Sequence, residues 1–227
     1  MRHIRCISLE TASRRQTAED RVKSRPRRII VAVSGATGAP LAASILEQLR
    51  KMQVETHLIL STWGAATVKY EMSPPYDSPR YLQSLAARSY NPRDVSAPIS
   101  SGSFPIDGMI VVPCSMKTLA GIRMGYDTDL ITRAASVTLK ERRRLVLVAR
   151  ETPLNDIHLE NMLGVSRAGA IIFPPVMAFY TKPTCIAEMV QQSTSRMLDL
   201  FGLEEHNTTN QWTGFDWQAK TKSDTQQ

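Results

Sequence analysis

The stretch Arg28-Ile-Ile-Val-Ala-Val-Ser-Gly-Ala-Thr-Gly38 decides the fold. Ile29–Val33 is an unbroken apolar run rich in β-branched side chains and too short for a buried helix. It reads as a strand covered on both faces. The run stops at Ser34 and a glycine turn, after which Leu41, Ile45 and Leu49 recur every fourth residue, the spacing of an amphipathic helix. A fully buried strand feeding directly into a helix is the opening unit of a parallel α/β sheet.

The same alternation continues outward. Val54–Ser61 is a second predicted strand, followed by a helix over Trp63–Glu71 that Pro74, Pro75 and Pro79 terminate. Ser73–Pro105 reads as loop, with one short helix near Tyr81–Arg88. Gly108–Pro113 is a strand, with a helix from about Met116. Leu130–Lys140 is helical, capped by Asp127 or Asp129. Leu145–Ala149 is a strand, Asn155–Ala168 a helix, and Ala170–Phe173 a strand broken by Pro174-Pro175. Ile186, Val190, Met197 and Phe201 share one face of a final long helix. The expected fold class is α/β: a Rossmann-like or flavodoxin-like parallel sheet with helices on both faces, in a single domain spanning 28–203. Residues 1–27 form a basic arm and 204–227 a C-terminal tail outside it.

Charge excludes a nucleic-acid protein. Of the net +7, residues 1–28 carry nine basic and three acidic side chains, or +6, which leaves the body with +1. No apolar run approaches the roughly 18 residues of a membrane span, so no membrane segment is expected. Cys6, Cys114 and Cys185 are widely spaced, without a C-x-x-C or H-x-x-x-H pattern, so neither a disulfide framework nor a metal site is expected. The Arg-, Ser- and Thr-rich arm reads either as a mitochondrial targeting segment or as a plain basic tail in a cytoplasmic protein. Lys140-Glu141-Arg142-Arg143-Arg144 is the one basic cluster of the body, and a solvated helix end explains it equally well.

Nearly every predicted strand ends in small or functional polar residues: Ser34-Gly35-Ala36-Thr37-Gly38, Ser61-Thr62, Cys114-Ser115-Met116-Lys117-Thr118 and Arg150-Glu151-Thr152, with Phe179-Tyr180 after the last. In open parallel sheets the ligand crevice lies outside the strand carboxyl ends, so these five segments are expected to converge. Gly35 and Gly38 permit a tight turn, and the helix beginning near Ala39 points amides at it. With hydroxyls on Thr37, Ser61, Ser115 and Thr118 this suits a phosphorylated ligand, although ordinary strand-to-helix turn chemistry would use the same residues. Lys140, Arg150 and Arg196 are candidate cations and Tyr180 a neutral donor; each also suits a surface pair. Glu151 and Glu71 are candidate proton shuttles or ion-pair partners, and Trp212 is a docking anchor or a lid. Cys114 reads as packing.

Seven segments in order resemble one family: Ser34-Gly-Ala-Thr-Gly-Ala39, Ser100-Ser-Gly-Ser-Phe104, Pro113-Cys-Ser-Met-Lys-Thr-Leu119, Thr132-Arg-Ala-Ala135, Leu139-Lys-Glu-Arg-Arg143, Arg150-Glu-Thr-Pro-Leu154 and Ala178-Phe-Tyr180. Together they look like the UbiX-type flavin prenyltransferases, whose eukaryotic members were once called phenylacrylic acid decarboxylases. The resemblance implies an enzyme that takes FMN and dimethylallyl monophosphate, joins the prenyl group to flavin N5 and closes a ring at C6. The product, prenylated FMN, serves a UbiD-type decarboxylase, and no metal is needed. It implies FMN contacts at Gly35, Ala36, Thr37, Ser61, Ser115, Met116, Lys117, Thr118 and Arg150. It implies prenyl phosphate contacts at Tyr180 and Arg196, with Lys140 assisting. Glu151 becomes the main proton shuttle, Glu71 lies near the prenyl group, and Trp212 corresponds to a closing Trp. Many bacterial relatives have Ser at the place of Thr37; Thr keeps the hydroxyl, and with it the implied catalytic role in the proton relay, and stiffens χ1. Relatives assemble as homo-oligomers, often dodecamers. Two other functions stay open at this point: a direct FMN-dependent decarboxylase of aromatic acids, and a non-catalytic FMN carrier.

Overall fold

The computed structural model describes residues 25–203 and Gly214. Six strands run β1 Arg28–Val33, β2 Glu55–Leu60, β3 Arg88–Tyr90, β4 Gly108–Cys114, β5 Arg144–Ala149 and β6 Ile171–Ile172. They form one parallel sheet in the order β3-β2-β1-β4-β5-β6. The helices between and after them are α1 Ala39–Lys51, α2 Thr62–Glu71, α3 Pro79–Leu85, α4 Met116–Met124, α5 Leu130–Lys140, α6 Asp156–Arg167 and α7 Ile186–Asp199.

Alternation along the strands divides the core between the two faces. Ile29, Val31 and Val33 point toward α1 and α7, while Ile30 and Ala32 point toward α4, α5 and α6. Fully burying each such aliphatic side chain contributes about 1.5–3 kcal/mol. Both faces are therefore needed to offset chain entropy in a core so poor in aromatics. The helix α5 is fixed at its start by a capping box between Asp129 and Thr132, and Asp127 pairs with Arg133 instead.

One strand departs from the sequence expectation. The segment near Tyr81–Arg88, expected as a short helix within loop, divides into α3 and the edge strand β3. Only three residues long and with Arg88 and Ser89 exposed, β3 carries no hydrophobic alternation to reveal it. Its pairing with His57–Ile59 makes it a strand. Strand order reverses between β1 and β4, so their carboxyl ends flank the crevice where such folds bind ligands.

Candidate active site

At that crevice the tip of β1 is held against two neighbours. A Cβ on Gly35 would lie 2.4 Å from Trp63 Cβ, so the loop approaches α2 as only glycine allows. Gly64 of α2 sits as closely on the strand tip, where a Cβ would come 2.5 Å from the Val33 carbonyl oxygen. Toward β4, the buried Ser34 hydroxyl donates to the Pro113 carbonyl at 2.9 Å and accepts the Ser115 amide at 2.8 Å.

Three helix starts open on the crevice, and those of α1 and α4 differ. Glu71 Oε2 accepts the amides of Gly38 and Ala39, both at 2.8 Å. The amides at the start of α1, expected to face a phosphate, are thus already capped by a carboxylate. That overturns the expectation for this helix, because a second anion there would face Glu71. At α4, Ser115 caps the helix: its Oγ accepts the Thr118 amide at 3.4 Å and donates to Thr118 Oγ1 at 3.1 Å. The amides of Met116 and Lys117 have no acceptor among the described residues, as expected of opening helix amides. This start, with two hydroxyls and the positive end of the helix dipole, is the better anion seat.

Ser61 likewise caps α2, accepting the Gly64 amide at 2.9 Å, and Thr37 is exposed in the loop opposite. The Arg150 amide donates to the Cys114 carbonyl at 3.2 Å, bringing the exposed Arg150 side chain to the tip of β4. Glu151 follows it, also exposed, with Oε1 accepting the Thr152 amide at 3.1 Å. Gly35, Ala36, Thr37, Ser61, Ser115, Met116, Lys117, Thr118, Arg150 and Glu151 therefore lie on the carboxyl-end side of the sheet, and Glu71 reaches it through its bonds to Gly38 and Ala39. Cys114 is buried, and burial pushes its thiol up to about 12.

Three expected residues do not join them within one chain. Tyr180 lies beyond the last strand, where its hydroxyl accepts from Gln192 of α7 at 3.4 Å. Arg196, one turn after Gln192, pairs with Asp199. The helix α7 packs along α1, tied by Ser44, Gln48 and Thr194. Tyr180 and Arg196 thus share the flank of α7 rather than a strand tip. Lys140 ends α5 at the amino-terminal edge of the sheet, just before β5, and pairs with Glu141. A helix that returns the chain to the start of a parallel strand must finish at the pole opposite the crevice. Trp212 lies outside the described residues.

Ser34, Trp63 and Gln192 also shape this region, and none of them carries a functional assignment from the sequence. A hydroxyl closing an apolar strand and an amide inside the apolar stripe of α7 were the available signals. Among the described residues no group of three or more His, Cys, Asp or Glu side chains is gathered as a metal site, and no helix is long and apolar enough to cross a membrane.

Comparison with known proteins bears on this arrangement. The family model described as Flavoprotein matches residues 17–197. The mitochondrial flavin prenyltransferase PAD1 of Saccharomyces cerevisiae is 57% identical over 84% of this chain and 77% of its own length. A probable UbiX-like flavin prenyltransferase of Escherichia coli O157:H7 is 54% identical over 82% of this chain and 93% of its own. Among solved structures, AnUbiX (PadA1) in complex with FMN and dimethylallyl pyrophosphate superposes with a TM-score of 0.79 at 56% identity, covering 85% of this chain and all of that one. A dodecameric FMN-dependent UbiX-like decarboxylase from Escherichia coli O157:H7 gives the same TM-score of 0.79 at 53% identity, over 82% of this chain and 100% of that one. With its fold, its strand-tip residues and its relatives in agreement, this chain belongs to the Flavoprotein family and, within it, to the UbiX-type flavin prenyltransferases.

Proposed function

We propose that this protein transfers the dimethylallyl group of a dimethylallyl phosphate to N5 of reduced FMN and closes the ring at C6, giving prenylated FMN for a UbiD-type decarboxylase. The observation that carries it is the pairing of an anion seat at the start of α4 with a carboxylate, Glu71 at the end of α2, on the same crevice. The resemblance gives the monophosphate as donor, while the related AnUbiX was solved with the pyrophosphate. Both are allylic phosphate esters, and either leaves as an anion.

The residues divide the work. The amides of Met116 and Lys117 with the Ser115 and Thr118 hydroxyls hold the FMN phosphate, and Arg150 adds a charge-assisted bond. Gly35, Ala36, Thr37 and Ser61 line the flavin side. Tyr180 and Arg196 bind the prenyl phosphate, and their donors stabilise the leaving group. Glu151 accepts and returns the protons displaced by attachment at N5 and closure at C6, and Glu71 lies beside the reacting group.

Tyr180, Arg196 and Lys140 belong to this set only if another copy supplies them, since one chain keeps the first two on the flank of α7 and Lys140 at the opposite pole. Exposed apolar side chains around Glu151 and Tyr180 fit that reading: Ile157 is 67% exposed, Val176 75% and Phe179 69%. The site is therefore completed in a homo-oligomer, as the dodecameric relative suggests. Residues 28–203 form the FMN-binding domain. The basic arm directs the chain to mitochondria, as the S. cerevisiae relative's name indicates for that protein. A fluorescent fusion of residues 1–27 that stays in the cytoplasm would overturn the last point.

The deciding experiment mixes purified protein, reduced FMN and dimethylallyl monophosphate or pyrophosphate, then weighs the flavin. A gain of one five-carbon unit is expected. Release of CO2 from a cinnamic-type acid by the protein alone would make it a decarboxylase, and an unchanged flavin in both assays would make it a carrier.

A further inference from the structure

We propose that Ser34 is a positioning residue for FMN, because its hydroxyl ties the tip of β1 to the tip of β4 and thereby fixes the anion seat of α4. The inference rests on reading that seat as the FMN phosphate site.

The β1–β4 ladder pairs residues from Ile29 with Gly108 to Ala32 with Val111. Past that point it cannot continue in regular form, because Pro113 has no amide hydrogen to give. Ser34 takes over. Its own amide reaches the Pro113 carbonyl at 3.2 Å and its hydroxyl reaches the same oxygen at 2.9 Å. The Ser115 amide returns to Ser34 Oγ at 2.8 Å. The side chain is only 2% exposed, so water cannot replace these bonds.

Geometry demands one atom that both donates and accepts. The carbonyl can only accept and the amide can only donate, so a hydroxyl is the side-chain group that answers both at this distance. Ser115 is also the N-cap of α4. The two amides assigned to phosphate follow it directly, so tilting Ser115 tilts both. Ser34 is buried and acts through its bond to Ser115.

The test compares Ser34→Ala and Ser34→Thr in the full-length protein. FMN affinity is read by flavin fluorescence, KM for each substrate by the prenylation assay, and thermal stability without FMN. Ser34→Ala is expected to weaken FMN binding about tenfold, the scale of one lost buried hydrogen bond. The KM for dimethylallyl phosphate and the kcat at saturating FMN are expected to hold. Ser34→Thr, which keeps the hydroxyl, should restore parental affinity. A merely structural role would lower the melting temperature without separating the two KM values, and that result overturns the proposal. Parental FMN affinity in Ser34→Ala does the same. Should Ser34→Ala not fold, Ser34→Cys replaces it, offering only a weak donor and acceptor; weakened FMN binding supports the tether and parental binding removes it. If the parent protein itself fails to bind FMN, the reading of the seat falls first and the proposal with it.

Discussion

Glu71 and Gly38 are joined across the crevice: Glu71 Oε2 accepts the Gly38 amide at 2.8 Å, and the same oxygen takes the Ala39 amide at the same distance. A residue at the end of α2 thus caps the start of α1. The bond gives Glu71 a structural duty besides the catalytic one proposed for it. Glu71→Ala is expected to destabilise the fold by about 1 kcal/mol, the usual loss of a helix cap, whereas Glu71→Gln should retain much of that stability. Urea unfolding of the two variants checks this. Equal stability of Glu71→Ala and parent would show that the cap contributes nothing.

Glu151 is exposed, so its neutral mimic should fold normally. Glu151→Gln is expected to bind FMN as the parent does while turnover falls on the order of 100-fold, the lower range of general acid–base contributions. Parental turnover would take Glu151 out of the mechanism.

Lys140 offers a complementation test. Lys140→Ala and Glu151→Gln should each be poorly active alone. Oligomers assembled from a mixture should regain activity, because some sites then combine an intact Glu151 with a partner's intact lysine. No recovery on mixing would place Lys140 outside the site.

His57 sets the acid dependence of stability. Its side chain is fully buried, with Nε2 3.1 Å from Glu55 Oε1 and Nδ1 2.8 Å from the Tyr90 hydroxyl. The carboxylate only accepts, so Nε2 carries the proton and Nδ1 accepts from Tyr90. Burial holds the imidazole below its ordinary 6.5, helped by Arg28 and Arg88 and opposed by Glu55. The unfolded chain therefore binds the extra proton first. The contribution of His57 is complete above about pH 6.5 and is lost as pH falls through the lower folded value. Burial works to raise the Glu55 pKa, but Arg28 and His57 outweigh it, so that carboxyl titrates in a separate window below 4.5. Unfolding free energy measured from about pH 7 down to 5 should fall in the parent, with a shallower slope in His57→Phe. Identical slopes would assign the acid sensitivity elsewhere.

Cys114 should be silent toward thiol reagents. It is fully buried and its thiol is raised to about 12, so almost no thiolate exists near neutrality. Alkylation followed by peptide mass analysis should leave it unmodified in native protein and modify it after denaturation. Rapid native labelling would mean that the tip of β4 opens readily.

Legibility followed how local each signal was. The run Ile29–Val33 and the stripe Leu41, Ile45, Leu49 announced β1 and α1 because burial on one or both faces imposes a period on neighbouring residues. The strand β3 carried no such period, since an edge strand with two exposed residues is defined by the partner it meets. The capping role of Asp129 was half visible: two aspartates stood near the start of α5, and only the fold showed that Asp127 was engaged with Arg133.

By itself the sequence determined the alternation of strand and helix, the parallel sheet, and the strand-end segments that carry the family's motifs. These depend on hydrophobic period and turn chemistry within a few residues, which are written locally. Only the tertiary structure decided which helix start stays open to an anion. Glu71 and Gly38 are 33 positions apart, and their bond closes the start of α1 while the first amides of α4 stay free of acceptors among the described residues. It likewise decided that Ser34 bridges two strands 79 residues apart and that Lys140 ends α5 at the pole opposite the crevice. Such pairings follow from how layers pack, and chain spacing carries no record of them.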